Sequence, residues 1–243
     1  TAVVMHINAE GTEFLSEYKL KEVLNKYCAF MPVPIFFEDA NAEEPEASEE
    51  NEPKEPQPIN DTEPLWQKNP SDCTDEDYKN FYQKVFRDWK EPLFHIHLKA
   101  DYPLNFKGIL YFPKIQSEYE SLEGQVKLYY NQVFVADNIK EILPDYMIML
   151  KGVLDCPELP LNVSRSFLQS DATVQRISAH ISKKVSDRLC SLFDKERETY
   201  CADWKDINPF VKFGCLRDEK FYERMHDKDL EADGVRAEIS AAE

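Results

Sequence analysis

The chain has 243 residues, 42% of them apolar, and a formal charge of −17. That length and apolar content suit one large domain or two small ones with a real core. The acidic balance excludes a nucleic-acid surface, which needs clustered basic residues, and no run has the length of a membrane span or the form of a signal peptide.

The first residue is Thr1, inside an apolar run, which reads as the start of a piece of a longer protein. Ala2 to Ile7 predicts a buried strand. From Thr12 to Phe30 the apolar residues Phe14, Leu15, Tyr18, Leu20, Val23, Leu24, Tyr27 and Cys28 recur at helical spacing. Val33 to Phe37 predicts a short strand, with Pro34 marking it as an edge. Residues 38–62 are dominated by glutamate and proline, and Ile59 is their only large apolar side chain. Such a segment cannot bury enough surface to offset ordering, and like charges keep it extended. It reads as a flexible acidic linker, either a tether that lets two domains reorient or a passive spacer.

A second domain is expected from Glu63. Thr74 predicts an N-cap, with Asp75, Glu76 and Asp77 in the first turn. The helix then carries Tyr78, Phe81, Tyr82, Val85, Phe86 and Trp89, and Pro92 ends it. Leu93 to Ala100 alternates, with Phe94, Ile96 and Leu98 on one face and His95, His97 and Lys99 on the other. Two histidines so spaced could both touch a metal, but no third ligand lies nearby, so no metal site is expected. Phe106 to Phe112 and Gln125 to Val135 predict two further strands. Ile139 to Lys151 predicts a helix with Pro144 in its first turn. Pro157 and Pro160 then force an extended loop up to Asp171. Val174, Ile177, Ile181, Val185, Leu189 and Leu192 form the clearest amphipathic stripe in the chain. Arg176, Lys183, Lys184 and Arg188 lie off that stripe, as a solvated face. Short helices are expected from Trp204 to Met225.

The six cysteines show no C-x-x-C spacing and read as free thiols. The six glycines form neither G-x-G-x-x-G nor the P-loop pattern, so any nucleotide cradle lies elsewhere. The 157–171 loop carries Asn162, Arg165 and Gln169, side chains suited to holding oxyanions. An arginine stays charged and offers a planar fork of five donors. Its plainer reading is a structural salt bridge.

Lys151-Gly152-Val153-Leu154-Asp155, Leu159 to Arg165 and Leu168-Gln169 resemble the middle-domain signature of the ninety-kilodalton heat-shock chaperones of the bacterial HtpG type. Pro64-Leu65-Trp66, Asn69 to Asp72, Asp88 to Leu93, Leu110 to Pro113 and Val133 to Asp137 are similar to that family too, and the likeness runs from residue 1 to about 225. The resemblance implies an α/β fold: a layered αβα subdomain, ribosomal-protein-S5-domain-2-like, followed by a helical segment. It divides the chain into the strand-helix-strand end of an ATPase domain (1–37), the acidic linker (38–62), the αβα subdomain (63–170), the helical segment (171–229) and a disordered or foreign tail (230–243). In the family, the arginine matching Arg165 reaches the terminal phosphate of ATP, and the residues matching Asn162 and Gln169 share its loop. Trp66 and Tyr111 match positions used for client or inter-domain contact, against ordinary core packing as the other reading.

The resemblance implies an ATP-dependent, stress-responsive chaperone, cytoplasmic and homodimeric through a missing carboxy-terminal domain. Its partners would be unfolded clients, its own ATPase domain and other chaperones. ATP with Mg²⁺ would bind the full-length protein, and this segment alone would bind none and be inactive. The competing reading is a non-catalytic interaction module in which the 157–171 loop is a structural clamp. Two departures stand out. Ile115 to Glu123 is polar where the family carries an apolar loop, and Asn131-Gln132 replaces arginines.

Overall fold

A computed structural model of the chain describes residues 1–39, 57–101, 104–114, 125–137, 142–159 and 172–228. Their contacts form two compact units: Thr1–Pro64 with Asn131–Phe134, and the other described residues from Leu65 onward.

In the first unit a 3-10 helix spans Ala9–Leu15 and helix α1 spans Glu17–Tyr27. The single helix expected from Thr12 to Phe30 is divided at Ser16, whose extended backbone (ψ 128°) interrupts the ladder. The strand expected over Ala2 to Ile7 does not form. Val3 and Met5 are about 80% exposed, and a strand with no pairing partner among the described residues leaves its backbone groups to water. Val33 to Phe37 is not a strand either, since Pro34 lacks a donor. Asn60 ties this run instead. Its Oδ1 accepts from the Ile35 N–H at 2.7 Å, and its Nδ2 donates to the carbonyls of Met31 and Val33 at 2.8 and 2.9 Å. Ile59 N donates to Ile35 O and Asp61 N to Ala29 O, both at 2.8 Å. Residues 59–61, expected inside the linker, are therefore fastened down. Residues 40–56 lie outside the described residues, as do 229–243.

In the second unit α2 spans Asp75–Phe86 behind a capping box. The Thr74 N–H donates to Asp77 Oδ2 at 2.8 Å, and Thr74 Oγ1 accepts from the Asp77 N–H at 3.2 Å. The helix stops at Phe86, short of the expected Trp89, because Arg87 turns left-handed (φ 51°). The strands are β1 (Phe94–Ala100), β2 (Phe106–Phe112), β3 (Val126–Tyr130), β4 (Val133–Asp137) and β5 (Lys151–Asp155), in the order β1-β2-β5-β3-β4. β2 is antiparallel to both β1 and β5, and β3 runs parallel to β5.

Two expectations fail here. The single strand over Gln125 to Val135 folds back at Asn131 and Gln132, whose φ values of 49° and 64° suit a two-residue hairpin turn. The helix over Ile139 to Lys151 is replaced, among the described residues, by a 3-10 turn at Asp145–Met147 and then β5. β5 is the central strand, with Gly152 to Asp155 buried. A strand buried on both faces shows a continuous apolar run and not alternation, so its period resembles that of a buried helix.

Register sorts the side chains onto two faces. Ile96, Leu98, Leu110, Phe112, Val126, Leu128 and Leu154 join one core with α3 (Ala172–Lys195), whose buried stripe includes Val174, Ile177, Ile181, Val185, Leu189 and Leu192. α4 (Arg197–Ala202), α5 (Trp204–Arg217) and a helical run at 219–228 continue that layer. Tyr146 OH and Ser182 Oγ share a hydrogen bond at 2.6 Å, and each lies 3.1 Å from Asp218 Oδ2, which accepts from whichever hydroxyl has its proton free, joining the 3-10 turn, α3 and the last helical run. His95, His97, Tyr111 and Asp155 face the other way, toward α2 and a 3-10 turn at Leu65–Gln67. The expected α/β architecture is thus present, with helices on both faces of a mixed sheet. Arg176, Lys183 and Lys184 are exposed, whereas Arg188 lies over the Phe94 ring at 5.9 Å.

Candidate functional site

β5 leads directly into the loop singled out from the sequence. Gly152 lets it approach β2 closely, because a side chain there would come within 2.6 Å of the Ile109 carbonyl oxygen. Beyond Asp155, Cys156 N still donates to Tyr129 O at 3.0 Å, so the chain leaves the sheet beside β3 at the C-terminal end of the parallel pair. Leu159 N then donates to Cys156 O at 3.3 Å, and Glu158 Oε2 accepts from Asn105 N at 3.3 Å. The chain is next described at Ala172, where α3 begins. Asn162, Arg165 and Gln169 fall between these points, outside the described residues.

The base of the loop is held by a buried carboxylate. Asp155 is 3% exposed, and its Oδ2 accepts from Trp66 Nε1 at 3.2 Å and Gln67 Nε2 at 3.3 Å. Lys107 Nζ donates to Gln67 Oε1 at 2.7 Å. Trp66 is fully buried and packs on Tyr129 and Phe81, with ring centroids 5.2 and 5.8 Å away. Tyr111 is also fully buried, its hydroxyl donating to Tyr78 O at 3.0 Å, and burial pushes its pKa well up. In this structure neither ring offers surface to a client, and both are core residues.

Trp89, by contrast, is exposed, at 82%, in the same unit of the fold as Trp66. Sequence periodicity put it on α2, but it stands on the loop after that helix. Asp88 fixes the loop by accepting from Lys151 Nζ at 2.6 Å, Tyr82 OH at 2.9 Å and Lys90 N at 3.0 Å. No pattern in the sequence separates Trp89 from Trp66. Only the left-handed Arg87, which ends the helix early, moves it into solvent.

His95 and His97 share one face of β1, as expected from the alternation, and that face lies against Tyr78 of α2. His95 stacks on Tyr78 at 3.6 Å, and His97 Nδ1 lies 2.8 Å from Tyr78 OH. Burial lowers the pKa of both, that of His95 to about 4, so they are neutral at neutral pH. Among the described residues no cluster of three or more His, Cys, Asp or Glu side chains could hold a metal. All six cysteines are free, and Cys156 and Cys201 are buried.

Two glycines serve close packing, Gly152 against β2 and Gly214, where a side chain would meet the Phe221 ring at 2.7 Å. Among the described residues no helix is long and apolar enough to cross a membrane.

The family model described as Hsp90 protein matches residues 53–228. Chaperone protein HtpG of Porphyromonas gingivalis is 49% identical over 224 residues, covering 92% of this chain and 32% of the relative. The HtpG of Bacteroides thetaiotaomicron is 47% identical over 222 residues, 91% of this chain and 32% of the relative. That of Bacillus subtilis is 37% identical over 212 residues, 85% and 34%. The chain therefore spans about a third of the length of the curated relatives it matches. With most of its length matched by the family model and by these relatives, the chain belongs to the Hsp90 family.

Proposed function

We propose that the chain is the middle segment of an ATP-dependent chaperone and supplies Arg165 to ATP, with its Mg²⁺, held by an amino-terminal domain of the longer protein. A fixed cation there would meet charge developing on the terminal phosphate, and Asn162 and Gln169 would hold the loop or the phosphate by hydrogen bonds. In other phosphoryl-transfer enzymes such an arginine contributes about 10³–10⁵ in rate. In this reading the protein works in the cytoplasm as a homodimer on unfolded clients, and this segment alone does not hydrolyse ATP.

What supports the reading is where the Arg165 segment departs. It follows β5, the central strand, at the C-terminal end of the parallel β5–β3 pair, the edge at which open α/β sheets commonly receive ligands. For client contact the support shifts from Trp66 and Tyr111 to Trp89, an exposed indole.

The test is Arg165→Ala in the full-length protein, with turnover and ATP affinity measured separately. The expected result is a turnover loss of at least about a hundredfold with affinity little changed. Unchanged turnover with lowered thermal stability would instead favour the structural clamp, a reading supported by the buried Asp155 at the loop's base.

A further inference from the structure

β1 lies at one end of the sheet order, and among the described residues only β2 pairs with it. Alternate residues of an edge strand turn their N–H and C=O groups outward, which makes such an edge a template for another extended chain. At the N-terminal end of β1 a cavity of about 270 Å³ opens between α2 on one side and α3, α4 and the start of α5 on the other. That volume is small for a drug-sized ligand and suits one long side chain.

The lining is aromatic and acidic. Tyr78 and His95, stacked on each other at 3.6 Å, line one side of the cavity. Two cations line it, fewer than the carboxylates beside them: Lys79 Nζ is engaged by Glu91 at 2.9 Å, whereas the Arg188 guanidinium lies 5.9 Å over the Phe94 ring and keeps its charge. Asp75, Glu196 and Asp203 also line the cavity, and none has an ion-pair partner among the described residues. Burial raises the pKa of Asp203 in spite of the opposing pull of Lys114, and an incoming cation would add to that pull. Neutral His95 adds no positive charge to oppose it.

We propose that the open edge of β1 and this cavity together bind an extended polypeptide segment bearing a cationic side chain. The segment adds to the sheet as a further strand beside β1. Its lysine or arginine enters the cavity toward Glu196 and Asp203, beside the stacked Tyr78–His95 pair. The site involves neither Arg165 nor nucleotide, so it stands or falls apart from the ATP reading.

The test uses the unaltered chain and short labelled peptides of alternating threonine and valine around one central residue, read by fluorescence anisotropy. The arginine-centred peptide is expected to bind about tenfold more tightly than its glutamate counterpart. N-methylation of alternate backbone nitrogens is expected to abolish binding, since strand addition needs those donors. In the chain, Glu196→Gln combined with Asp203→Asn is expected to erase the preference for arginine. Neither side chain makes a capping hydrogen bond at its helix end, so the fold should tolerate both changes. If the double variant melts early, the peptide comparisons on the unaltered chain decide alone. Equal affinity for the two peptides, undiminished binding after N-methylation, or no binding at all overturns the proposal.

Discussion

Lys151, the first residue of β5, donates to Asp88 Oδ2 across 2.6 Å, and the two side chains are 23% and 18% exposed. The pair ties the central strand to the loop that carries Trp89. Burial alone would raise the Asp88 pKa, but the bonds from Lys151, the Lys90 N–H and Tyr82 outweigh it, and the carboxyl is held below its ordinary value. A carboxyl depressed in the fold contributes stability above its unfolded pKa and loses it as pH falls through the folded value. Asp88→Asn is therefore expected to cost about 1–3 kcal/mol at neutral pH. The deficit should shrink as pH falls below about 4. Urea denaturation of both proteins at neutral and acid pH checks this, and a deficit independent of pH would contradict it.

Trp66→Phe removes one donor to Asp155 while keeping a ring beside Tyr129 and Phe81. Weakening the satisfaction of a buried carboxylate is expected to cost about 1–3 kcal/mol. Trp66→Leu should cost more, since lost volume adds to the lost bond. Thermal melts of the three proteins order them.

Trp89 behaves in the opposite way. Its ring is 82% exposed, so Trp89→Ala is expected to change stability by less than about 0.5 kcal/mol. Binding of a permanently unfolded polypeptide should weaken. Unchanged binding, measured by anisotropy in the full-length protein, would remove Trp89 from client contact.

Protons distinguish His95. Its pKa falls from 6.5 to about 4, chiefly because burial penalises the charged ring. The unfolded chain then binds the proton more readily than the fold between those two values. Stability is expected to fall as pH drops from about 6.5 toward 4 and to change no further through this group below that. His95→Phe should flatten that part of the profile. An imidazole that NMR shows half-protonated near pH 6 would contradict it.

Local signals carried the elements whose cause is local. The Thr74 N-cap, the alternation of β1 and the stripe on α3 were legible because a cap, a period of two and a period of 3.6 are written in neighbouring residues. The likeness of Leu159 to Arg165 to a family motif was legible for the same reason, in a short contiguous run.

The chain order by itself thus pointed to the family, through that resemblance to the α/β class, and to α2, β1, β2, α3 and the helix starting at Trp204. Tertiary structure decided the rest. It made Lys151–Asp155 the central strand, which no alternation announces because β2 and β3 flank it and both faces are covered. It also buried Trp66 and exposed Trp89, two residues of one type that differ only in what the folded chain brings against them. Burial depends on partners far away in sequence, such as Asp155 for Trp66, and neighbouring residues carry no record of them.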